Sequence, residues 1–535
     1  MAKQHQNPRY DLDDFKEYCR ERLANSTECV FKAISQNLPI KMPEPELAYF
    51  YQKCTYHFNV EYNCYYNNEA VIKELLNETP KSITISQSSH LSLLKKYLIN
   101  LFAPESKLES LSFNPDCIDI AATDADIYCN LIHEFLALFA NHKGLKFLDM
   151  FVLFDNKNTI GLLNSALKTN QALNILRLKI IDSYRFKTPP NFNSLSNNQS
   201  LHILHVSTQS KGVIRDILSH LLSNKHLENV QLIFIGGGYD IICCRDLALG
   251  MLSESSALTE LEIEGVHFKN LDPDCTFGLD KTSKLETLIF GMCQVPSATA
   301  IAKALATNSV LRKLVLPDIK TDNFVEELAK SLSKNSTLTD LDIIPSNIRQ
   351  QKQSGCYKPL FEVMYKPCFL QRLSLFMLNF DVEAAQIIGK MLSLNTTLLT
   401  LELNHTIINF EEMKHIFTCL MNNNKLKDLI NVNLIITSDQ IDEFKTLFQK
   451  LMKVNNVLIN IYIRVPVMSL DRNLHYFIKR YLIHNKIRQL DLKMIAARHF
   501  IKFVDKDYRT FNKIIPVECS QLLKIAKDEY KKELF

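Results

Sequence analysis

One short phrase, Leu-x-x-Leu-x-Leu, recurs along this chain of 535 residues at intervals of 26 to 37 residues. Clear copies are LETLIF from Leu285, LRKLVL from Leu311 and LLTLEL from Leu398. The phrase begins at fifteen positions, which are Pro80, Leu108, Leu145, Leu173, Leu201, Leu227, Leu258, Leu285, Leu311, Leu338, Leu370, Leu398, Leu426, Leu458 and Ile487. A period of this size predicts a solenoid of stacked units, because no single unit buries its own apolar face.

Within each unit, the phrase and the run that follows it have different apolar periods. The phrase alternates with period 2, as in a strand with one buried face. The next run has apolar residues about four positions apart, as in Phe324, Leu328 and Leu332, which predicts a helix with one apolar stripe. Repeated strand–loop–helix units predict an α/β fold with a parallel inner sheet and outer helices.

The stretch SATAIAKALATNSVLRKLVL and its continuation TDNFVEELAKSLSKNSTLTDLDI resemble leucine-rich repeats of the ribonuclease inhibitor type. The resemblance includes an asparagine that recurs just before the next phrase, at Asn308, Asn335, Asn395, Asn424 and Asn455. It implies a horseshoe-shaped solenoid over residues 80–492. It implies no activity, because that family contains inhibitors, receptors, GTPase activators and scaffolds.

Two positions depart from the family pattern. The loop position that the family fills with Asn or Cys is Cys293 in one repeat but is apolar in others, as at Ile181. The pattern therefore predicts a weak ladder of buried polar side chains at that loop. Asn431 stands where a core leucine is expected, so the register after Leu426 stays open.

The two flanking segments lack the phrase. Residues 1–79 contain helical stripes such as Leu47, Phe50 and Cys54, and we expect a helical N-terminal cap that shields the open end of the array. The alternative is a separate small module that acts as an effector or adaptor. Residues 493–535 predict a C-terminal helical cap with a mildly basic tail.

The composition favours a soluble protein of a reducing compartment. The 14 cysteines include no CxxC pair, which indicates free thiols. The polar start of the chain does not resemble a secretory signal peptide, and no apolar run is long enough to span a membrane. We therefore expect a cytoplasmic protein. A net charge of +4 gives no reason to expect nucleic acid as a partner.

Several short motifs suggest chemistry, and each has a plainer interpretation. Cys117-Ile118-Asp119 matches a motif of bacterial leucine-rich-repeat ubiquitin ligases, but it lies within the repeats and not in a separate helical domain. Cys129 and His133 have helical spacing but do not complete a zinc site. Residues 236–238 are three glycines that lack the ending of a P-loop. We therefore predict a protein that is not an enzyme, with no metal and no cofactor.

The inner face of the predicted sheet is more informative. The residues on either side of the second leucine of each phrase point away from the core. In three successive repeats the first of these positions holds Phe147, Ile175 and Ile203, which we call the apolar row. The second position holds Asp149, Arg177 and His205. An apolar stripe edged by charges predicts a contact site. The alternatives are that a terminal module covers it, or that the register slips and it is core.

Further along, the same two positions become acidic. They hold Glu260 with Glu262, Asp340 with Asp342, then Glu402 and Asp428, interrupted by Lys313 and Arg372. Such a tract attracts a basic partner and repels the phosphates of nucleic acid. Surface solubility is the plainer interpretation.

Together these patterns predict a monomeric interaction protein that binds a folded protein partner on its concave face. The apolar row would supply the anchors and the acidic positions the orientation. The repeats and the absence of a signal peptide are similar to leucine-rich-repeat effectors of intracellular bacteria, which implies delivery into host cytoplasm by a dedicated secretion system. Glu529 and Glu533 resemble the acidic export signals of such effectors. The rival hypothesis is a substrate-selecting adaptor of a ubiquitin-type enzyme that acts through residues 1–79.

Overall fold

The chain forms two compact units, Met1–Ile301 and Ala302–Phe535, each of which is described by itself. The computed structural model describes residues 82–85, 99, 101–103, 106–113, 125–154, 157–182, 191–221, 224–235, 240–243, 257–269, 274, 276, 279, 284–291, 293, 295, 298–318, 323–345, 352–353, 357–366, 368–376, 378–379, 381–464, 477–478 and 481. The flanking segments 1–79 and 493–535, and the last phrase at Ile487, lie outside the described residues.

The first unit contains an open sheet of parallel strands. Its strands are β1 (Ser82–Ile85), β2 (Ser110–Phe113), β3 (Phe147–Phe154), β4 (Ile175–Asp182), β5 (Ile203–Thr208), β6 (Asn229–Phe234), β7 (Asp240–Cys243), β8 (Glu260–Glu264), β9 (Val266–Lys269) and β10 (Thr287–Gly291). Strands β7 and β9 pair with each other, and the rest form the sheet in chain order. The helices of the unit are Ala125–Phe139, Lys157–Thr169, Lys211–Leu221 and Ala298–Ala304, with a 3₁₀ turn at Asn193–Ser196. The last of these helices contains the boundary between the units.

The second unit repeats this plan. Its strands are β11 (Lys313–Asp318), β12 (Asp340–Pro345), β13 (Lys352–Gln353), β14 (Arg372–Phe376), β15 (Leu378–Asn379), β16 (Thr400–Asn409), β17 (Asp428–Ile435) and β18 (Asn460–Arg464). Strands β11, β12, β14, β16, β17 and β18 pair in that order, all parallel. The short β15 pairs with β16, and β13 with β15. The helices are Phe324–Leu332, Lys358–Val363, Val382–Leu394, Phe410–Leu420 and Ile441–Val454, with a 3₁₀ turn at Ser438–Gln440.

The leucine phrase sets the register of both sheets. Each main strand begins two residues after the first position of a phrase, as β4 does after Leu173. In β12, Leu341 and Ile343 are buried, whereas Asp340 and Asp342 are partly exposed. The alternating leucines therefore form the core, and the predicted α/β architecture of a leucine-rich-repeat solenoid is confirmed.

The helices of the second unit bury an apolar stripe, and two of them begin at a side-chain cap. The stripe of one helix consists of Phe324, Leu328 and Leu332, all buried. Another helix begins after Asp381, whose carboxylate accepts a hydrogen bond of 2.8 Å from the backbone N–H of Ala384. The helix Phe410–Leu420 begins with a capping box between Asn409 and Glu412. Each cap satisfies backbone N–H groups that the first turn leaves without partners.

A ladder of eight buried asparagines fixes the turns that precede eight of the phrases. Asn198 is representative: its amide N–H groups donate to the carbonyl oxygens of Leu167 at 2.6 Å and Asn170 at 3.1 Å. Its side-chain oxygen accepts from the backbone N–H groups of Ser200 and Leu201. The ladder positions are Asn170, Asn198, Asn224, Asn308, Asn335, Asn395, Asn423 and Asn455. One amide thus fixes a turn and holds it to the preceding repeat.

The ladder corrects one sequence prediction and extends the pattern to four earlier repeats, at Asn170, Asn198, Asn224 and His142. Asn423 holds the ladder position, and Asn424, which the sequence suggested, is exposed. In an earlier repeat the position is occupied by His142, whose Nδ1 accepts from the backbone N–H of Leu145 at 3.0 Å. Burial lowers the pKa of His142, so the ring is neutral and able to accept at pH 7.

A bulge resolves the register after Leu426. Leu429 pairs with Ile461 of β18, but the next aligned pair is Val432 with Ile463, so β17 contains one extra residue. Asn431 lies within this irregular stretch, and Val432 takes the buried position instead. Bulges of this kind let a strand keep its apolar face after an out-of-phase residue.

Two helices of the second unit approach closely at Gly389. A Cβ atom added there would lie 2.9 Å from the Sγ of Cys419. We expect Gly389→Ala to lower the free energy of unfolding by about 1 kcal/mol, because overpacking exceeds the gain in helix propensity. Adding Cys419→Ala should recover most of this loss in a double-mutant cycle measured by urea unfolding. A Gly389→Ala protein more stable than wild type would contradict the close approach.

Candidate functional site

The sheet of the first unit has one face in the core and one open face. Leu148, Leu176 and Leu204 point into the core and are fully buried. The residues that precede them form the apolar row and are partly exposed: Phe147, Ile175 and Ile203. The predicted alternation therefore holds in these strands, and the row is not part of the leucine core.

The apolar row is continuous across three neighbouring strands. Phe147 pairs with Ile175, and Ile175 with Ile203, in the parallel register of β3, β4 and β5. Adjacent strands lie about 4.8 Å apart, so the side chains form a strip about 10 Å long between the outer two. The strip is flanked by Ser110 of β2 on one side and Asn229 of β6 on the other.

The second row on the open face is polar, and some of its side chains contact the apolar row. Arg177 is exposed, and its guanidinium carbon lies 5.4 Å from the centre of the Phe147 ring, a cation–π distance. Ser112 donates a hydrogen bond of 3.1 Å to the carboxylate of Asp149. Burial, and less strongly the charge of Arg177, lower the pKa of His205, so its ring is neutral at pH 7.

Three carboxylates follow one another along β8: Glu260, Glu262 and Glu264. We call them the β8 carboxylates, and all three are partly exposed on the open face. Asn229 donates to Glu260, and Gln231 donates to Glu262 at 2.8 Å. Sequence reasoning found the first two and missed Glu264, although the alternation of ELEIE gives the signal. Burial, followed by the charge of Glu262, raises the pKa of Glu264.

The acidic positions of the second unit are paired differently. Arg372 of β14 lies between two carboxylates of neighbouring strands, with its Nη1 2.5 Å from Asp342 and its Nη2 3.0 Å from Glu402. Thr339 donates to Asp340 at 2.7 Å, and Thr400 donates to Asp428 at 3.0 Å. The sheet of this unit thus neutralises part of its own predicted acidic tract.

The candidate catalytic and metal-binding motifs find little support where the structure describes them. Residues 117–119 and 236–238 lie outside the described part. His133 contacts the hydroxyl of Thr159 at 2.7 Å, and Cys129 is buried. Burial raises the pKa of the Cys293 thiol to about 12, and its Sγ donates to the carbonyl of Ile263. Cys293 is therefore a protonated thiol at neutral pH and a poor nucleophile.

Two further features are absent from the described part of the chain. It contains no group of three or more His, Cys, Asp or Glu side chains arranged to hold a metal ion. None of its helices combines the length and the apolar character needed to cross a bilayer.

Comparison of the sequence with protein-family models and with characterised proteins gives no match. Among solved structures, the chain is similar to leiomodin-1 actin-binding site 2, with 16% identity and a TM-score of 0.25, over 38% of this chain and 96% of that one. It is also similar to the tropomodulin C-terminal domain of Caenorhabditis elegans, with 9% identity and a TM-score of 0.23, over 37% and 97%. Similarities this weak establish neither a shared partner nor a shared function, and the fold rests on the strand register.

Proposed function

We propose that the chain is a non-enzymatic interaction scaffold that binds a folded protein on the open face of its first unit. The observation that carries this proposal is the apolar row, three large, partly exposed side chains in register across neighbouring strands of the open face. Phe147, Ile175 and Ile203 are the anchors. Arg177 beside them and the β8 carboxylates orient the partner.

The physical case rests on how interfaces gain affinity. A few apolar or aromatic anchors at the centre supply most of the binding free energy, and a polar rim excludes water and selects the partner. The apolar row is a strip of this kind, and Asp149, Arg177 and His205 form a polar rim along it. The strands are held on both sides by their neighbours, so the anchors are positioned before the partner arrives.

Quantitative affinity capture from a eukaryotic lysate tests the proposal. The variant Phe147→Asp/Ile175→Asp/Ile203→Asp should lose the main captured protein by at least tenfold, because charges at the centre of an apolar contact are left unpaired. A second variant, Phe147→Thr/Ile175→Thr/Ile203→Thr, places polar side chains with high strand propensity at the same positions and therefore disturbs the fold less than three aspartates do.

The matched control changes the same residue types elsewhere. Phe369, Ile407 and Ile435 are exposed apolar residues of the second unit, and replacing each with Asp should leave capture unchanged. Circular dichroism and melting curves establish that all variants are folded. If the folded Thr variant retains the partner at wild-type levels, the binding face lies elsewhere.

The finer proposals on biological setting rest on sequence alone. We propose that the protein acts in cytoplasm, and that its partner is a host protein reached by secretion, from the resemblance to bacterial effectors. A translocation reporter fused to the chain would test delivery.

The adaptor hypothesis depends on residues 1–79, which lie outside the described residues, and stays a prediction. Recruitment of ligase components by residues 1–79 would favour it.

A further inference from the structure

The open face of the first unit is chemically asymmetric, apolar over β3 to β5 and acidic over β8. We propose that the partner element on this face is an amphipathic α-helix that lies across the strands. Its apolar side chains contact the apolar row, and its lysine or arginine side chains contact the β8 carboxylates. This inference rests on the proposed function and names the element that binds.

Backbone pairing favours a helix over an added strand. At the apolar row and along β8, each strand pairs with a neighbour on both sides, so these residues offer no free strand edge to an extended peptide. A helix brings its own backbone hydrogen bonds and presents one apolar stripe. A polar extended segment across this face would leave its backbone groups without partners wherever it covers the apolar row.

The register fixes the spacing of the partner's side chains. Ile175 lies at the centre of the apolar row, and Glu260 occupies the same row three strands further on. Three strand spacings are about 14 Å. A helix rises 1.5 Å per residue and turns once in 3.6 residues, so the positions on the same helix face that bracket this distance are about seven and about eleven residues from the central apolar residue. The long side chains of lysine or arginine at these positions cover the remaining few ångströms.

The β8 carboxylates lack a cationic partner among the described residues. Asn229 and Gln231, which donate to two of them, are neutral amides. Glu264 pairs with Gly291 of β10, where an added Cβ would be 3.1 Å from its Cγ, so β10 offers it no side chain. Its partner on β6 is the apolar Ile233. Three like charges on one strand repel one another, and a bound cation relieves this repulsion.

The second unit provides the contrast. There Arg372 already donates hydrogen bonds to both Asp342 and Glu402. A basic partner would therefore add less electrostatic stabilisation to these carboxylates than to those of β8. The acidic positions that the sequence grouped as one tract are therefore of two kinds. Among the described residues, the carboxylates of β8 have no cationic partner and share the open face of the first unit with the apolar row.

The probe is a library of displayed helical peptides of about 18 residues with three leucines fixed on one stripe and other positions randomised. Full-length protein is the bait. Selected peptides should be enriched in lysine or arginine about seven or eleven residues from the central leucine, on the same helix face. The variant Glu260→Gln/Glu262→Gln/Glu264→Gln should bind the best peptide about tenfold more weakly at low salt, and the difference should shrink as salt rises.

The control Glu326→Gln/Glu362→Gln/Glu383→Gln makes the same charge change on exposed helix positions and should bind as wild type does.

The outcomes separate this inference from the proposed function. If the threonine variant of the apolar row loses the peptide but the glutamine variant of β8 does not, the peptide binds the open face as proposed. The predicted contact between its basic residues and the β8 carboxylates is then wrong. If both variants bind the peptide as wild type does, the proposed function fails as well. If the selected peptides are not enriched in lysine or arginine, or if no peptide binds, the proposal of a basic amphipathic helix is also wrong.

Discussion

Replacing Asn423 by Asp is expected to lower the free energy of unfolding of the second unit by about 3–4 kcal/mol. The amide of Asn423 donates to the carbonyl oxygens of Leu392 at 2.5 Å and Asn395 at 3.4 Å. A carboxylate keeps the acceptor role toward Lys425 and Leu426 but turns two donated bonds into repulsion between oxygens. The site is buried, so water does not compensate the loss.

The sequence provides its own controls, because Asn423 is the middle of three consecutive asparagines. Asn422 and Asn424 are exposed, so Asn422→Asp and Asn424→Asp should each change stability by less than about 0.5 kcal/mol. Urea unfolding followed by circular dichroism compares the three variants. Equal losses for Asn423→Asp and Asn424→Asp would mean that the ladder position is misplaced.

Arg372→Met is expected to lower the free energy of unfolding of the second unit by about 2–3 kcal/mol near pH 7. The side chains of Arg372, Asp342 and Glu402 are only 28%, 16% and 16% exposed, so removing the cation leaves two poorly solvated carboxylates close together. Burial already raises the pKa of Asp342, and Arg372 opposes that shift in the wild type. Without Arg372 the pKa of Asp342 should rise further in the folded state.

The pH dependence of the loss has a definite sign. A carboxyl whose pKa is raised by folding binds its proton more tightly in the folded state, so stability increases as pH falls through that raised pKa. The deficit of Arg372→Met relative to wild type should therefore be largest at about pH 7 and smaller at about pH 5. Adding Asp342→Asn and Glu402→Gln should recover much of the loss at pH 7. A deficit that is independent of pH would show that packing of the arginine stem, and not charge, is responsible.

The start and the buried face of each main strand could be predicted from the sequence, because each phrase gives both. The ends of the strands and the short strands β7, β9, β13 and β15 could not be predicted, because no phrase marks them. The alternation of apolar residues correctly predicted that Leu341 and Ile343 are buried. The helical spacing did the same for Phe324 and Leu328. The alternation failed at Asn431, because a bulge restores the core with the next residue and no short pattern encodes a bulge.

The candidate site could be predicted only in outline. Aligning the phrases gave the apolar row, since parallel strands with a common start place equivalent residues side by side. It did not give the pairing of charges, because whether a carboxylate is neutralised depends on side chains of neighbouring strands. Arg372 looked like an interruption of the acidic tract, yet it bonds two of its carboxylates. Whether the apolar row binds a partner stays a prediction.

The asparagine ladder has a consequence for how such a chain changes length in evolution. Asn198 donates to the carbonyl of the preceding ladder residue, Asn170, and to that of Leu167, three positions before it. Asn335 makes the same two bonds with Asn308 and Leu305. Because each of these amides bonds only to the turn of the preceding repeat, a gene duplication or deletion that spans one whole interval rejoins equivalent turns and keeps the acceptors of the amide. The array is therefore built to gain or lose copies in whole units, and a frame-preserving change of any other length breaks the series at its junction.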